Sequence, residues 1–132
     1  MARDALDRLA RLRVIEERGA KLELARRLAA QAAAEREAQQ AANAIVAEAA
    51  GDADAFARWL PRAIAARERS AIKARVMAGQ SDEARGALAL AHQARTVVDE
   101  ALAARQAEAD REAARHAQNA IDDLVQRPRA GR

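Results

Sequence analysis

The sequence predicts an all-α protein in which two long helices form an antiparallel coiled-coil hairpin, with the second helix longer than the first. Alanine, the best helix former, supplies 41 of the 132 residues. Only six Val and five Ile are present, and strands favour β-branched residues. Large apolar residues (Leu, Ile, Val, Met, Phe, Trp) number 26, which suits a narrow seam between helices better than a globular core.

The first helix is predicted over about residues 3–49, where nothing in the sequence stops a helix. At 1.5 Å per residue it would be roughly 70 Å long. Apolar residues recur at steps of three and four, which predicts one broad packing face. The residues on this face are Leu6, Leu9, Leu12, Ile15, Leu22, Ala25, Leu28 and Ala29.

A turn is predicted over residues 50–60, because this is the clearest interruption in the chain. Gly51 can end a helix in the left-handed conformation without steric cost. Asp52 and Asp54 are good N-cap residues for the next helix. Pro61 is easiest to accommodate in a first helical turn, so we expect the main second helix to begin there and residues 54–60 to form a short separate turn.

The second helix is predicted over about residues 61–126, followed by a basic, flexible tail at 127–132. Positions 87, 90, 94, 97, 101 and 104 follow the 3-4 alternation of a coiled-coil seam. The stretch G-Q-S-D-E-A-R-G at 79–86 leaves open a break and a three-helix arrangement. Because the helices are unequal, about 20 residues of the second should extend past the first as a free end.

Composition argues against several classes of protein. There is no Cys, so disulfides and thiol chemistry are excluded. No stretch approaches the ~20 apolar residues of a membrane span, and the N-terminus has no apolar leader segment, so we expect a cytoplasmic protein without membrane insertion. The net charge of +3 combines 23 basic with 20 acidic residues, which is typical of solvated helix faces.

The chain also lacks the residues of an enzyme. It has two His, two Ser and no Cys or Tyr, and no Gly-rich phosphate loop. Glu112 and His116 are four residues apart, whereas a di-iron helical bundle uses Glu and His three apart. His92 has no evident partner and is interpreted as a side chain at the edge of the seam. We therefore predict no catalysis, no metal site and no cofactor.

The stretch A-F-A-R-W-L-P-R-A at 55–63 holds both aromatic residues, Phe56 and Trp59, next to Leu60. Two interpretations remain open. The aromatics could form a hydrophobic plug that closes the hairpin tip, and they could in addition anchor a partner, because exposed Trp and Phe are typical of interfaces.

Three stretches of the chain resemble a known family. They are the N-terminal stretch L-D-R-L-A-R-L-R-V-I-E-E-R-G-A-K-L-E-L-A, the tetrapeptide W-L-P-R at 59–62, and A-D-R-E-A-A-R-H-A-Q-N-A-I-D-D-L near the C-terminus. The chain is similar to the small coiled-coil stalk proteins of type III export systems, the FliJ type of flagella and the YscO/SctO type of injectisomes. The matching N-terminal residues are Leu9, Leu12, Arg13, Val14, Glu17, Ala20, Lys21 and Leu24.

The resemblance implies a protein that inserts into the hexameric export ATPase and links it to the cytoplasmic side of the export gate, and that in some members also meets substrate chaperones. It assigns to the ATPase the two chain ends: Leu6, Arg8, Leu9, Leu12, Arg13, Arg105, Arg111, Arg115, Ile121 and Leu124. It assigns to the gate side the tip and early second helix: Phe56, Trp59, Leu60, Arg62 and Arg67.

Two other classes remain as alternatives to a stalk. One is a generic coiled-coil adaptor or export chaperone that binds a partner helix. The other is a nucleic-acid-binding hairpin using the basic residues Arg62 to Arg75, which the 20 acidic residues oppose and whose binding should fall steeply with salt. The choice between a flagellar and an injectisome system, and between monomer and dimer, is left open.

Overall fold

The computed structural model describes residues 2–127, which contain two helices and no strand. Helix α1 spans Ala2–Glu48 and helix α2 spans Ala53–Gln126. They pack antiparallel: Lys73 Nζ lies 3.0 Å from Glu37 Oε2 near the turn, and Arg95 Nη1 lies 3.3 Å from Glu17 Oε2 farther along. The predicted all-α hairpin with a longer second helix is confirmed.

The turn between the helices is shorter than predicted. The Gly51 N–H donates to the Glu48 carbonyl at 3.0 Å, and Gly51 does not use the left-handed conformation. Asp52 is the N-cap, its Oδ1 accepting a hydrogen bond from the Asp54 N–H at 3.1 Å. Because this cap satisfies an otherwise unpaired amide, α2 begins at Ala53, and the separate turn expected at 54–60 is instead part of the helix.

Pro61 lies inside α2 rather than in its first turn. A proline has no N–H, so the carbonyl of Ala57 loses its usual helical donor. Both residues are exposed, and water can reach that carbonyl. The expected helix start at Pro61 is wrong because the Asp52 cap fixes the start eight residues earlier.

Helix α2 runs without interruption through residues 79–86. Gly79 and Gly86 are both exposed within it, so they weaken the helix without ending it. The three-helix alternative is therefore excluded in favour of two helices.

The seam between the helices combines alanine, polar residues and some larger apolar residues at steps of three and four. On α1 it includes Ala10, Arg13, Glu17, Ala20, Leu24, Arg27, Gln31, Ala34, Ala38 and Ala41. On α2 it includes Ala63, Ser70, Ala74, Met77, Ser81, Ala84, Leu88, Ala91, Arg95, Val98 and Leu102. Among the described residues, the buried apolar ones are Ala34, Ala63, Ala84 and Val98. Alanine at these positions allows two backbones to approach closely.

This seam is rotated from the faces that the sequence predicts. On α1, four large residues of the expected packing face are exposed: Leu12, Ile15, Leu22 and Leu28. On α2, Leu90 and Val97 are exposed, and the packed positions lie one helical row away from the predicted series. Alanine is present on several faces of both helices, so the stripe of largest residues does not determine the side that packs.

Helix α2 continues well past the start of α1. Arg105 Nη1 donates to the Ala2 carbonyl at 3.0 Å, which marks the level where α1 begins. Every residue from 103 to 127 is exposed. The segment 106–126, here called the overhang, is about 30 Å long at 1.5 Å per residue. Of the predicted tail, residues 128–132 lie outside the described residues.

Candidate interaction surfaces

The overhang is the first candidate surface, because within residues 2–127 it is a single helix with no second helix beside it. An apolar row follows 3-4-3 spacing along it, at Ala114, Ala117, Ile121 and Leu124. Ile121 and Leu124 are exposed. This row does not continue the seam, which beyond Leu102 would pass through polar positions. An isolated amphipathic helix gains most of its stability from packing, so this row offers a partner helix a ready surface.

The overhang is also net acidic. It carries five acidic residues and two basic ones: Glu108, Asp110, Glu112, Asp122, Asp123, Arg111 and Arg115. Both arginines lie near Glu108, at 2.8 Å for Arg111 and 3.7 Å for Arg115. These are exposed ion pairs along one helix, which stabilise by only a few tenths of a kcal/mol and can exchange for a partner's charges.

The residues predicted at the two chain ends are arranged along the rod and do not form one patch. On α1, Leu6, Leu9 and Arg13 are half-buried, whereas Arg8 and Leu12 are exposed. Arg105 joins the two ends through its bond to Ala2. The remaining predicted residues of α2 lie farther out on the overhang, with Leu124 about 28 Å beyond Arg105 at 1.5 Å per residue.

The hairpin tip carries the two aromatic side chains in contact. The ring centroids of Phe56 and Trp59 are 5.9 Å apart with the planes tilted by 42°. Both are half-buried, as is Leu60. Trp59 lines a groove with Ala41 and Ala44 of α1. The tip thus combines partial packing on α1 with an apolar surface that remains exposed, and both interpretations of this segment stay compatible with its geometry.

The first part of α2 is the basic region of the rod. Between residues 58 and 75 there are six basic residues and one acidic one. Arg62 and Arg67, predicted on the gate side, are exposed. Lys73 differs from them because it forms the 3.0 Å ion pair with Glu37 across the seam. The rod therefore has a basic region near its tip and an acidic overhang at its opposite end.

A buried charged cluster that is not evident from the sequence crosses the seam near the open end. Glu17 is only 4 % exposed. Its Oε1 lies 3.2 Å from Lys21 Nζ and 3.6 Å from His92 Nδ1, and its Oε2 lies 3.3 Å from Arg95 Nη1. Burial by itself raises the pKa of Glu17, but hydrogen bonds and charges from Lys21 and Arg95 outweigh burial, and the pKa is lowered below 4.5.

The Glu17 cluster links the two helices at one level of the rod, and its partners offset the cost of burying the carboxylate. It also gives His92 a partner that the sequence did not reveal, at the edge of the seam as expected. In the sequence, Glu17 follows Arg13 by four residues and precedes Ala20 by three, which places the three residues on one face of the helix. That spacing indicates a buried Glu17 only when this face is already known to be the seam.

Within residues 2–127, no three His, Asp or Glu side chains converge as possible metal ligands. In the same range, neither helix contains a segment long and apolar enough to cross a membrane. Comparison with protein-family models, curated proteins and solved structures found no match to this chain.

Proposed function

We propose that the protein is a non-enzymatic central stalk of a type III protein export apparatus. It would insert into the hexameric export ATPase and link it to the export gate. The observation that carries the proposal is the overhang: about 30 Å of single helix, fully exposed, held at the end of a two-helix rod. Such a shape suits insertion into a ring, because a single helix is only about 10–12 Å wide.

The charge difference between the two ends supports two different partners. The acidic overhang and the adjoining N-terminal turns of α1 would contact the ATPase. The basic tip region, with Phe56 and Trp59, would contact the cytoplasmic domain of the gate membrane protein, and substrate chaperones are a further proposed partner. The protein would then work in the cytoplasm, peripheral to the membrane apparatus.

The mechanism that we propose is coupling by asymmetry. A rod made of one antiparallel hairpin has no six-fold symmetry, so it must contact the subunits of a hexameric ring unequally. Unequal contacts stabilise some subunit conformations over others, which biases the nucleotide states around the ring. The chain supplies shape and charge, and hydrolysis belongs to the ATPase.

The proposal is tested by binding of the purified ATPase to variants of the overhang. Ile121→Asp with Leu124→Asp should weaken binding at least about tenfold, since two exposed anchors are lost. Val46→Asp is the matched control, because Val46 is an equally exposed apolar residue near the other end of α1. Equal binding by both variants would contradict insertion of the overhang.

A coiled-coil adaptor or export chaperone is the second candidate, favoured by the exposed Leu90 and Val97. These residues lie seven apart on one side of α2, which is the spacing that a partner helix recognises. If Leu90→Asp with Val97→Asp abolishes partner binding while the overhang variant does not, the adaptor is the better description.

A further inference from the structure

Helix α1 carries an apolar stripe that faces away from α2. Leu12, Ile15 and Leu22 are between 48 % and 65 % exposed. With Gly19 they follow steps of three, four and three residues, which is the spacing of a coiled-coil seam. We call these four residues the outer stripe. Since α2 covers the opposite face of α1, the outer stripe has the pattern of a second seam without a second helix on it.

The charges beside the outer stripe differ on its two sides. At 100° per residue, Arg11 and Arg18 lie along one edge and Glu16 and Glu23 along the other. Each arginine precedes a glutamate by five residues, as Arg11 precedes Glu16 and Arg18 precedes Glu23. In a parallel two-stranded coiled coil, flanking residues five apart face each other across the seam.

This spacing makes the stripe complementary to a second copy of itself in one orientation. If two copies run parallel and in register, Arg11 of each faces Glu16 of the other, and Arg18 faces Glu23. That gives four ion pairs between the two copies, each joining an arginine to a glutamate. An antiparallel arrangement would place arginine against arginine and glutamate against glutamate, which is destabilising.

The present partners of these charges leave them available for such pairing. Among residues 2–127, neither Arg11 nor Arg18 forms an ion pair. Glu16 and Glu23 each have an arginine partner 2.8 Å away within α1, and these local pairs would be exchanged for contacts across the stripe. Two of the four charged residues therefore lack a partner within the hairpin.

Gly19 supports the same conclusion. A Cβ added there would meet nothing within 4 Å, so the hairpin does not need glycine at this position. Glycine inside a helix is otherwise unfavourable. Between two paired stripes, however, it would allow the backbones to approach closely beside Ile15 and Leu22.

We propose that the outer stripe is a self-association surface, on which two hairpins pair side by side, parallel and in register. Both overhangs then extend from the same end of a four-helix rod. The pairing would cover Leu12, one of the residues proposed to contact the ATPase, so self-association and insertion compete for it. The proposal itself rests on the stripe and its charges and holds whether or not the ATPase is the partner.

The first experiment measures the mass of the full chain against concentration by sedimentation equilibrium. The wild type should dimerise, and Ile15→Glu with Leu22→Glu should raise the dimer Kd by at least about tenfold. Helical content should stay unchanged, because both residues face away from α2. Val46→Glu is the matched control and should dimerise like the wild type.

The second experiment determines orientation, using the absence of native cysteine. Ile15→Cys should form an interchain disulfide under mild oxidation, because parallel, in-register pairing places the two residues 15 together. Val46→Cys should not cross-link above background. Preferential cross-linking between Ile15→Cys and Gly19→Cys chains would show antiparallel pairing and overturn the proposal.

Two other results would also overturn the proposal. One is a wild-type chain that stays monomeric at all concentrations. The other is a dimer that the Ile15 and Leu22 substitutions do not weaken. If the chain is monomeric and these substitutions instead abolish ATPase binding, the stripe takes a helix of the ATPase. Because the mass measurement uses the purified chain alone, its outcome is independent of the proposed stalk function.

Discussion

Replacing Ser81 with alanine should stabilise the hairpin. Ser81 is fully buried in the seam, and its Oγ has no hydrogen-bond partner among residues 2–127. Leaving a buried polar group unsatisfied costs about 1–3 kcal/mol. Alanine also has a higher helix propensity than serine by roughly 0.5 kcal/mol. Against these gains stands only the small void left by one oxygen atom.

We expect Ser81→Ala to raise the free energy of unfolding by about 1–2 kcal/mol. For a chain of this length that corresponds to a rise in Tm of roughly 3–8 °C. The assay is thermal unfolding and urea unfolding, each followed by circular dichroism at the helical band and fitted to a single transition.

The matched control is Ser70→Ala, because Ser70 is the other serine of the chain and occupies a half-buried seam position. Ser70→Ala shares the gain in helix propensity, so we expect it to raise the free energy of unfolding by about 0.5 kcal/mol. The difference between the two variants measures the cost of the buried hydroxyl. If Ser81→Ala is no more stable than Ser70→Ala, the hydroxyl of Ser81 is bonded in solution and the reasoning is wrong.

Three further predictions concern pH, the tip and the helix interior. The folded pKa of Glu17 is below its ordinary value of 4.5, so ionised Glu17 should stabilise the folded protein fully above that pH. This stabilisation should be lost as pH falls through the folded pKa. Glu17→Gln should therefore remove this part of the acid dependence of the free energy of unfolding. Trp59→Ala should lower the free energy of unfolding by about 1–2 kcal/mol, which is less than for a fully buried Trp because Trp59 is half-buried. Arg58→Ala is the control at an exposed site, and an equal Tm for the two variants would contradict packing at the tip. Gly79→Ala should raise stability by about 0.5–1 kcal/mol, since its Cβ would meet nothing within 4 Å; an unchanged or lower free energy of unfolding would show that helix propensity does not limit α2 there.

The sequence predicted the number, order and unequal length of the helices, because these follow from local preferences. Alanine-rich segments form helix, and Gly51 followed by Asp52 interrupts it. The start of α2 was predicted too late because a single cap at Asp52 outweighs the restriction imposed by Pro61. That outcome depends on the balance of two local effects, which the sequence alone does not weigh.

The packing face could not be predicted in the same way. Leu12, Ile15 and Leu22 suggested one face of α1, but α2 packs on the opposite one. With alanine on several faces, the choice depends on long-range contacts such as Glu17 with Arg95, which are 78 residues apart in the chain. The mismatch is informative, because the large residues excluded from the seam are those of the outer stripe.

The overhang was the part of the candidate site that could be predicted, since it follows from helix lengths and one turn. Its acidic character and its apolar row at Ile121 and Leu124 are likewise readable from the sequence. The position of Arg105 beside the start of α1 could not be predicted from the sequence, because it depends on the register in which the two helices pack.

The most direct test of the stalk proposal is the rate of ATP hydrolysis and the oligomeric state of the cognate export ATPase, measured with and without this protein. We predict faster hydrolysis together with hexamer formation, and loss of both with Ile121→Asp and Leu124→Asp. A well-folded helical sample that neither binds the ATPase nor changes its hydrolysis would contradict the stalk function.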